Sequence, residues 1–239
     1  MSTYAWVDLC SVLVPFLASF HPRLRFHTRW WALFPGIAFM MGLFIPWDAA
    51  FTRAGVWGFN PEHVWSTRIV HLPIEEWLFF IFIPYCCVFS YHCFHVLGLR
   101  DHWGRHARTI SIVLIIGLLA VALGNWPRAY TFTAWTLCAL WIAFTAFIQK
   151  APWLGRFYFA YAVLLLPFLV VNGILTGAGL DRPVVWYNDA GNLGLRIGTI
   201  PVEDVFYGML MTGLVVSVYE ALLARRGEQA AVREAGGRE

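Results

Sequence analysis

The chain has 239 residues, 59% of them hydrophobic and 13% charged, about half the roughly 25% charged residues of a soluble domain. With a mean hydropathy of +0.62 the composition excludes an ordinary water-soluble globule. The net charge of +3 comes from sixteen Arg and Lys150 against fourteen acids, scattered over loops, which excludes a nucleic-acid-binding stripe.

A transmembrane helix needs ~20 mostly apolar residues. Seven stretches predict one: 3–20, 30–48, 73–97, 108–124, 130–148, 157–176 and 201–223. The first carries Asp8 and has no Lys or Arg before it and no convincing cleavage site after it, so it is expected to remain as a span rather than act as a signal peptide. Twelve of the basic residues fall in the loops 21–29, 98–108 and 149–156 and the tail after 224. The other face has five: Arg53, Arg68, Arg128, Arg182 and Arg196. The positive-inside rule then predicts a multi-pass protein of the cell membrane, with the amino terminus outside, the carboxyl terminus cytoplasmic, and the long loops 49–72 and 177–200 outside. The end, GEQAAVREAGGRE, reads as a disordered tail. Cys10, Cys86, Cys87, Cys93 and Cys138 have neither zinc-site nor disulfide-framework spacing and read as apolar fillers.

An internal repeat organises these spans. PIEEWLFF at 73–80 and PVEDVFYG at 201–208 match at an offset of 128, Asp48 and Thr52 align with Asn172 and Thr176, and Val56-Trp57 aligns with Val185-Trp186. Four crossings lie between the motifs, so the repeats run parallel. The expected fold is all-α integral membrane: seven transmembrane helices, as two parallel three-helix repeats joined by a linking helix. The divisions are 1–106, the linking helix 107–126, 127–224 and the tail 225–239. A pseudo-two-fold axis along the membrane normal brings the starts of the third and seventh helices together, and with them Glu75, Glu76, Glu203 and Asp204.

Pro followed by acids also suits a plain helix start. Against that reading, Leu72 and Ile200 stand where a capping Ser or Thr belongs, and each acid is doubled. Consecutive residues are ~100° apart on a helix, so one acid of each pair can meet loop groups while the other faces the bundle. Ionisable groups within spans are costly and usually mark pathways or chemistry. Asp8, Asp48 and Asn172 add polar groups at the same depth.

The repeated PxE(E/D), FIPWD with GVWGFNP, and VNGILT with IPVED resemble the integral-membrane lycopene cyclase family, here with both halves fused in one chain. The resemblance spans residues 1–223. It implies a carotenoid-biosynthesis enzyme that folds the linear ψ end of lycopene into a ring, most often β, and it carries the motif acids onto Glu75, Glu76, Glu203 and Asp204. The second motif departs by ending in Asp. Ring closure is an isomerisation that needs a general acid, a base for the final proton, a dry cavity and groups that stabilise a carbocation. Glu75 and Glu203 are equivalent, so one can be protonated while another accepts the departing proton. Asp48, Asn172, Trp57, Trp77, Trp186, Phe206 and Tyr207 are the expected substrate-binding residues, the aromatics through cation–π attraction, with Trp77 and Phe206 foremost.

No cofactor is expected, since GAG at 177–179 lacks a dinucleotide-binding context, and no metal, since His92, His95, His102 and His106 lie at the other end of the third helix and read as solvated. The implied partners are a linear carotenoid and the lipid bilayer, with no nucleic acid; a homo-oligomer stays open. Two alternatives also remain: an intramembrane prenyltransferase, for which YNDAGN at 187–192 is one weak Asp-rich loop, and a proton-coupled transporter, which would also gather acids at a repeat interface.

Overall fold

The computed structural model describes residues 2–98 and 103–236, with side chains to residue 227. Its seven α-helices are α1 Thr3–Ala18, α2 Trp30–Arg53, α3 Ile74–Val96, α4 Ala107–Gly124, α5 Ala129–Ala143, α6 Leu154–Leu175 and α7 Glu203–Gly236. Six are long and apolar enough to cross a membrane, and α1, at 16 residues, is shorter. Its start is fixed by Ser2, whose hydroxyl accepts from the Ala5 N–H at 3.1 Å.

Two boundaries differ from expectation. The second helix passes 48 and ends at Arg53, because Ala49, Ala50 and Phe51 continue it until Gly55 turns the chain at φ +69°. Asp48 therefore lies within a helix rather than at its end. The last helix runs to Gly236, through the segment expected to be a disordered tail, which is rich in the strong helix formers Ala, Glu, Gln and Arg.

Each long loop carries the same small device. In the first, β2 Arg68–Ile69 pairs with β3 Leu72–Pro73; in the second, β5 Arg196–Ile197 pairs with β6 Ile200–Pro201. The Arg68 guanidinium donates to the His71 carbonyl, and that of Arg196 to Thr199. These tight two-residue turns need left-handed backbone: Val70 and His71 supply it at φ +52° and +69°, and Gly198 at +65°. A third antiparallel pair joins the loops, β1 Trp57–Phe59 with β4 Val185–Tyr187. Gly58 pairs with Trp186 at the middle of the register, flanked by Trp57 with Tyr187 and Phe59 with Val185, so equivalent segments of the two repeats meet antiparallel, as strands related by a two-fold axis do. A Cβ at Gly58 would lie 2.4 Å from the Trp186 ring, so a side chain there would have to displace that ring.

The helices interlock across that axis. α1 packs along α3 and α5 along α7, while α2 of the first half packs along α7 of the second. The last contact is close: a Cβ on Gly36 would stand 2.9 Å from the Val215 carbonyl. α4 packs mainly on α5 and leaves most of its apolar surface outward. At the end opposite the loops, Arg156 of α6 donates to Tyr91 Oη of α3 at 2.8 Å and to Glu220 of α7 at 2.6 Å. This polar clamp ties three helices together beyond the far end of the cavity described next.

Candidate active site

A cavity of about 260 Å³ lies among α1, α2, α3, α6 and α7, Tyr130 of α5 and the loop strands β1 and β4. Its α3 wall runs from Glu76 to Ser90, roughly 20 Å of helix at 1.5 Å per residue. Three carboxyl groups line it, Asp48, Glu76 and Asp204, all at the loop end. Further along, the walls are mainly apolar, with Ile83, Cys86, Leu164, Phe168 and Met211 among them. Pro15 of α1 and Pro167 of α6 also line the cavity; Pro167 is exposed on the side of the bundle and Pro15 half-buried. The cavity thus reaches the side of the bundle at the seam between α1 and α6.

The doubled acids divide as a 100° step predicts. Glu75 and Glu203, fully buried, turn away and tie down the loops: Glu75 Oε1 accepts from Ser2 Oγ and the Trp65 N–H, and Glu203 Oε1 from Thr131 Oγ1 and the Leu193 N–H, both N–H contacts at 2.7 Å. Trp65 and Leu193 are themselves 128 residues apart, so the loop anchor is repeated in full. Removing it by Glu203→Ala leaves the Leu193 N–H without its acceptor, a loss on the order of 2 kcal/mol. Thermal unfolding in detergent is expected to show a lowered midpoint for Glu203→Ala and a much smaller change for Glu203→Gln, which keeps an acceptor oxygen. An unchanged midpoint in the Ala variant would contradict the anchor.

Glu76 and Asp204 face the cavity. Tyr4 Oη donates to Glu76 Oε2 at 2.6 Å. Asp204 accepts three hydrogen bonds, from Tyr130 Oη at 2.6 Å, Asn172 Nδ2 at 2.7 Å and Tyr187 Oη at 3.0 Å. Burial and the nearby Asp204 carboxylate push the Tyr187 hydroxyl well above the ordinary tyrosine range, so it serves as a neutral donor. Asp48 Oδ1 accepts from Trp57 Nε1 at 2.5 Å and from Thr52 at 3.4 Å. The rings form a connected wall: Trp57 and Tyr130 centroids are 4.9 Å apart, and Tyr207 sits 6.0 Å from Tyr130 and 6.3 Å from Trp57.

Of the residues singled out from sequence, Glu76, Asp204, Asp48, Asn172, Trp57 and Tyr207 meet at this cavity, and Glu75, Glu203, Trp77, Trp186 and Phe206 do not line it. Trp77 donates its indole N–H to the Ile69 carbonyl, Trp186 lies over Gly58, and Phe206 packs on Trp135 with centroids 4.8 Å apart. Sequence reasoning missed Tyr4, Tyr130 and Tyr187. A signal existed for two of them, because Tyr4 and Tyr130 are each the second residue of the first helix of a repeat. Asp8 of α1 is 1% exposed, and neither of its oxygens has a hydrogen-bond partner among the described residues.

His92 is buried rather than solvated: its ring contacts the Leu24 carbonyl at 2.9 Å and Tyr219 Oη at 3.3 Å. His95 meets Arg156, His106 meets Arg105, and His102 lies outside the described residues. No group of three or more His, Cys, Asp or Glu suited to a metal occurs among the described residues.

Against known families, the profile described as Lycopene cyclase matches two stretches, residues 1–94 and 127–222. The chain belongs to the lycopene cyclase family. The two stretches leave out α4. Among curated proteins, the bifunctional lycopene cyclase/phytoene synthase of Neurospora crassa is 28% identical over 194 residues, covering 71% of this chain and 30% of that protein. The enzyme of the same description from Aspergillus niger is 24% identical over 193 residues, covering 72% of this chain and 31% of that protein. The chain thus spans under a third of the length of these relatives. No solved structure matches it.

Proposed function

We propose that this member of the family is a carotenoid cyclase, closing the linear ψ ends of lycopene to β rings by a proton-initiated, non-redox isomerisation. The observation that carries this is the cavity itself: carboxyl groups from both repeats at one end, an aromatic wall around them, and an apolar bore that reaches the side of the bundle between α1 and α6. A proton from a cavity carboxyl adds to the terminal alkene, the next double bond attacks the cation and forms the ring C–C bond, and a C–H bond of the ring then breaks, its proton passing to a second carboxylate. Trp57, Tyr130 and Tyr207 present π faces to the cationic stages. Every group comes from one chain, so a homo-oligomer is not required.

At about 260 Å³ the cavity falls below the ~300–1,000 Å³ of pockets that bury a whole drug-sized ligand, and a forty-carbon polyene is larger still. It takes one end, with the remainder passing out between α1 and α6 into the lipid. Lycopene therefore becomes β-carotene through one-ringed γ-carotene, which leaves and re-enters the other way round. On the orientation given by the basic residues, the carboxyls lie toward the outside face and the Arg156 clamp toward the cytoplasm.

The rival readings find less support. Asp189 of the YNDAGN loop is engaged by Arg196 at 2.6 Å, which leaves little for a metal-held diphosphate. The apolar bore that reaches the side of the bundle suits a polyene better than a hydrated ion path. Expression in lycopene-accumulating bacteria with pigment chromatography tests the proposal. Monocyclic and then bicyclic β-ring products are expected, and unchanged lycopene from folded, membrane-inserted protein would reject it.

A further inference from the structure

Asp48 and Asn172 occupy equivalent places, each on the second helix of its repeat and four residues before a threonine, Thr52 or Thr176. Each sits beside the cavity acid of one motif, and where Asp48 carries a carboxyl, Asn172 carries an amide.

Beside Glu76, the neighbour is a second carboxyl. Asp48 and Glu76 are within hydrogen-bonding reach of each other, and Asp48 Oδ2 is buried without a donor from any N–H or hydroxyl among the described residues. Two carboxylates in contact cannot both stay ionised, and one proton shared between them removes the repulsion. Asp48 Oδ2, which has no other donor among the described residues, is a free acceptor for such a proton. Asp48 Oδ1 accepts from two donors, Trp57 and Thr52, whereas Glu76 accepts from Tyr4 alone, so the charge is favoured on Asp48 and the proton is left on Glu76. The other groups around Glu76 are Tyr4, which donates to it, and Asp8, Tyr187 and Tyr207 within electrostatic reach. None of them is a cation that would drive the proton off.

Beside Asp204, the neighbour is an amide. Asn172 gives an N–H, and Tyr130 and Tyr187 give hydroxyls. A carboxylate accepting two or three hydrogen bonds is held in its charged form. Glu203, the nearest acid, is engaged with Thr131 and Leu193.

We infer that the Asp48/Asn172 difference between the repeats divides the work of two otherwise equivalent acids: Asp48 keeps Glu76 protonated as the acid that starts ring closure, and Asn172 keeps Asp204 ionised as the base that ends it. Asp48 and Asn172 are thus positioning residues. The inference rests on the cyclase reading for its use, though not for its proton inventory. Per ring, Glu76 loses one proton to the alkene carbon and Asp204 gains one from the ring. No electrons are exchanged, and the proton returns to Glu76 through water admitted once the product leaves.

Infrared difference spectra of the full chain in lipid nanodiscs, without substrate, test the inventory. Wild type minus Asp48→Asn is expected to show loss of a protonated-carboxyl carbonyl band matching the one removed by Glu76→Gln, whereas Asp204→Asn leaves that band in place. Any contribution from Asp8 is common to all of these and cancels. Asn172→Asp, which builds a second carboxyl pair, is expected to add one such band and to slow cyclisation at least 10²-fold. An unchanged band in Asp48→Asn, or a band removed by Asp204→Asn and kept in Glu76→Gln, would overturn the assignment. If Asp48→Asn fails to fold, the band gained or not gained in Asn172→Asp decides alone. Spectra that behave as expected in a protein forming no cyclic product would instead remove the cyclase reading and leave the proton inventory standing.

Discussion

Glu76→Gln is expected to lower ring closure by about 10²–10⁴-fold, the usual share of a positioned general acid, in a protein that still folds. The amide keeps the volume of the side chain and an acceptor for Tyr4 Oη, so the Tyr4 contact survives while the transferable proton is gone. The control is the neighbouring residue. Glu75→Gln retains an oxygen for Ser2 Oγ and the Trp65 N–H and lies outside the cavity, so its activity is expected to stay within about 10-fold of wild type on the same scale. Pigment analysis of membranes matched for protein content measures both. The reverse pattern, with Glu75→Gln dead and Glu76→Gln active, would mean that the other face of α3 carries the chemistry.

Asp204→Asn is expected to cost a similar 10²–10⁴-fold, by a different route. Its site presents three donors, from Tyr130, Asn172 and Tyr187, arranged for a charged acceptor, and an amide there can neither satisfy all three nor take a proton. Ring closure then begins normally and stalls at the cation. The measurable consequence is a changed product pattern: the little that turns over includes rings that lost a different proton or trapped water, whereas Glu76→Gln leaves plain lycopene. Identical product patterns from the two variants would argue against separate acid and base.

The division between these acids explains what could be read in advance and what could not. Doubled acids after proline, 128 residues apart, marked the site because charge is scarce in such a chain, and the four-crossing spacing made the repeats parallel. Which acid of each pair faces inward depends on the rotational setting of α3 and α7. That setting is fixed by the Trp65 and Leu193 backbone reaching Glu75 and Glu203, contacts that no periodicity encodes. The tyrosines were hidden for a related reason. Tyr4 reaches Glu76 across 72 residues and Tyr130 reaches Asp204 across 74, through helix pairings that only the assembled bundle specifies. Trp77 and Phe206 looked promising by being next to the motifs, yet one step along a helix turns a side chain by ~100°, enough to carry both out of the cavity. Asp48 was legible as a polar residue in a span, and its partner was not, because α2 runs on to Arg53 and sets its depth.

Deuterium labelling tests proton-initiated closure at the cavity carboxyls most directly. Membranes containing the protein are given lycopene in D2O with no added reductant or oxidant, and the cyclic products are weighed by mass spectrometry. A cavity carboxyl that has exchanged with solvent delivers its deuteron to the terminal alkene, and the carbon that receives it keeps it. One deuterium per ring formed is the predicted result, one in the monocyclic product and two in the bicyclic. Cyclic product carrying no solvent deuterium would contradict it.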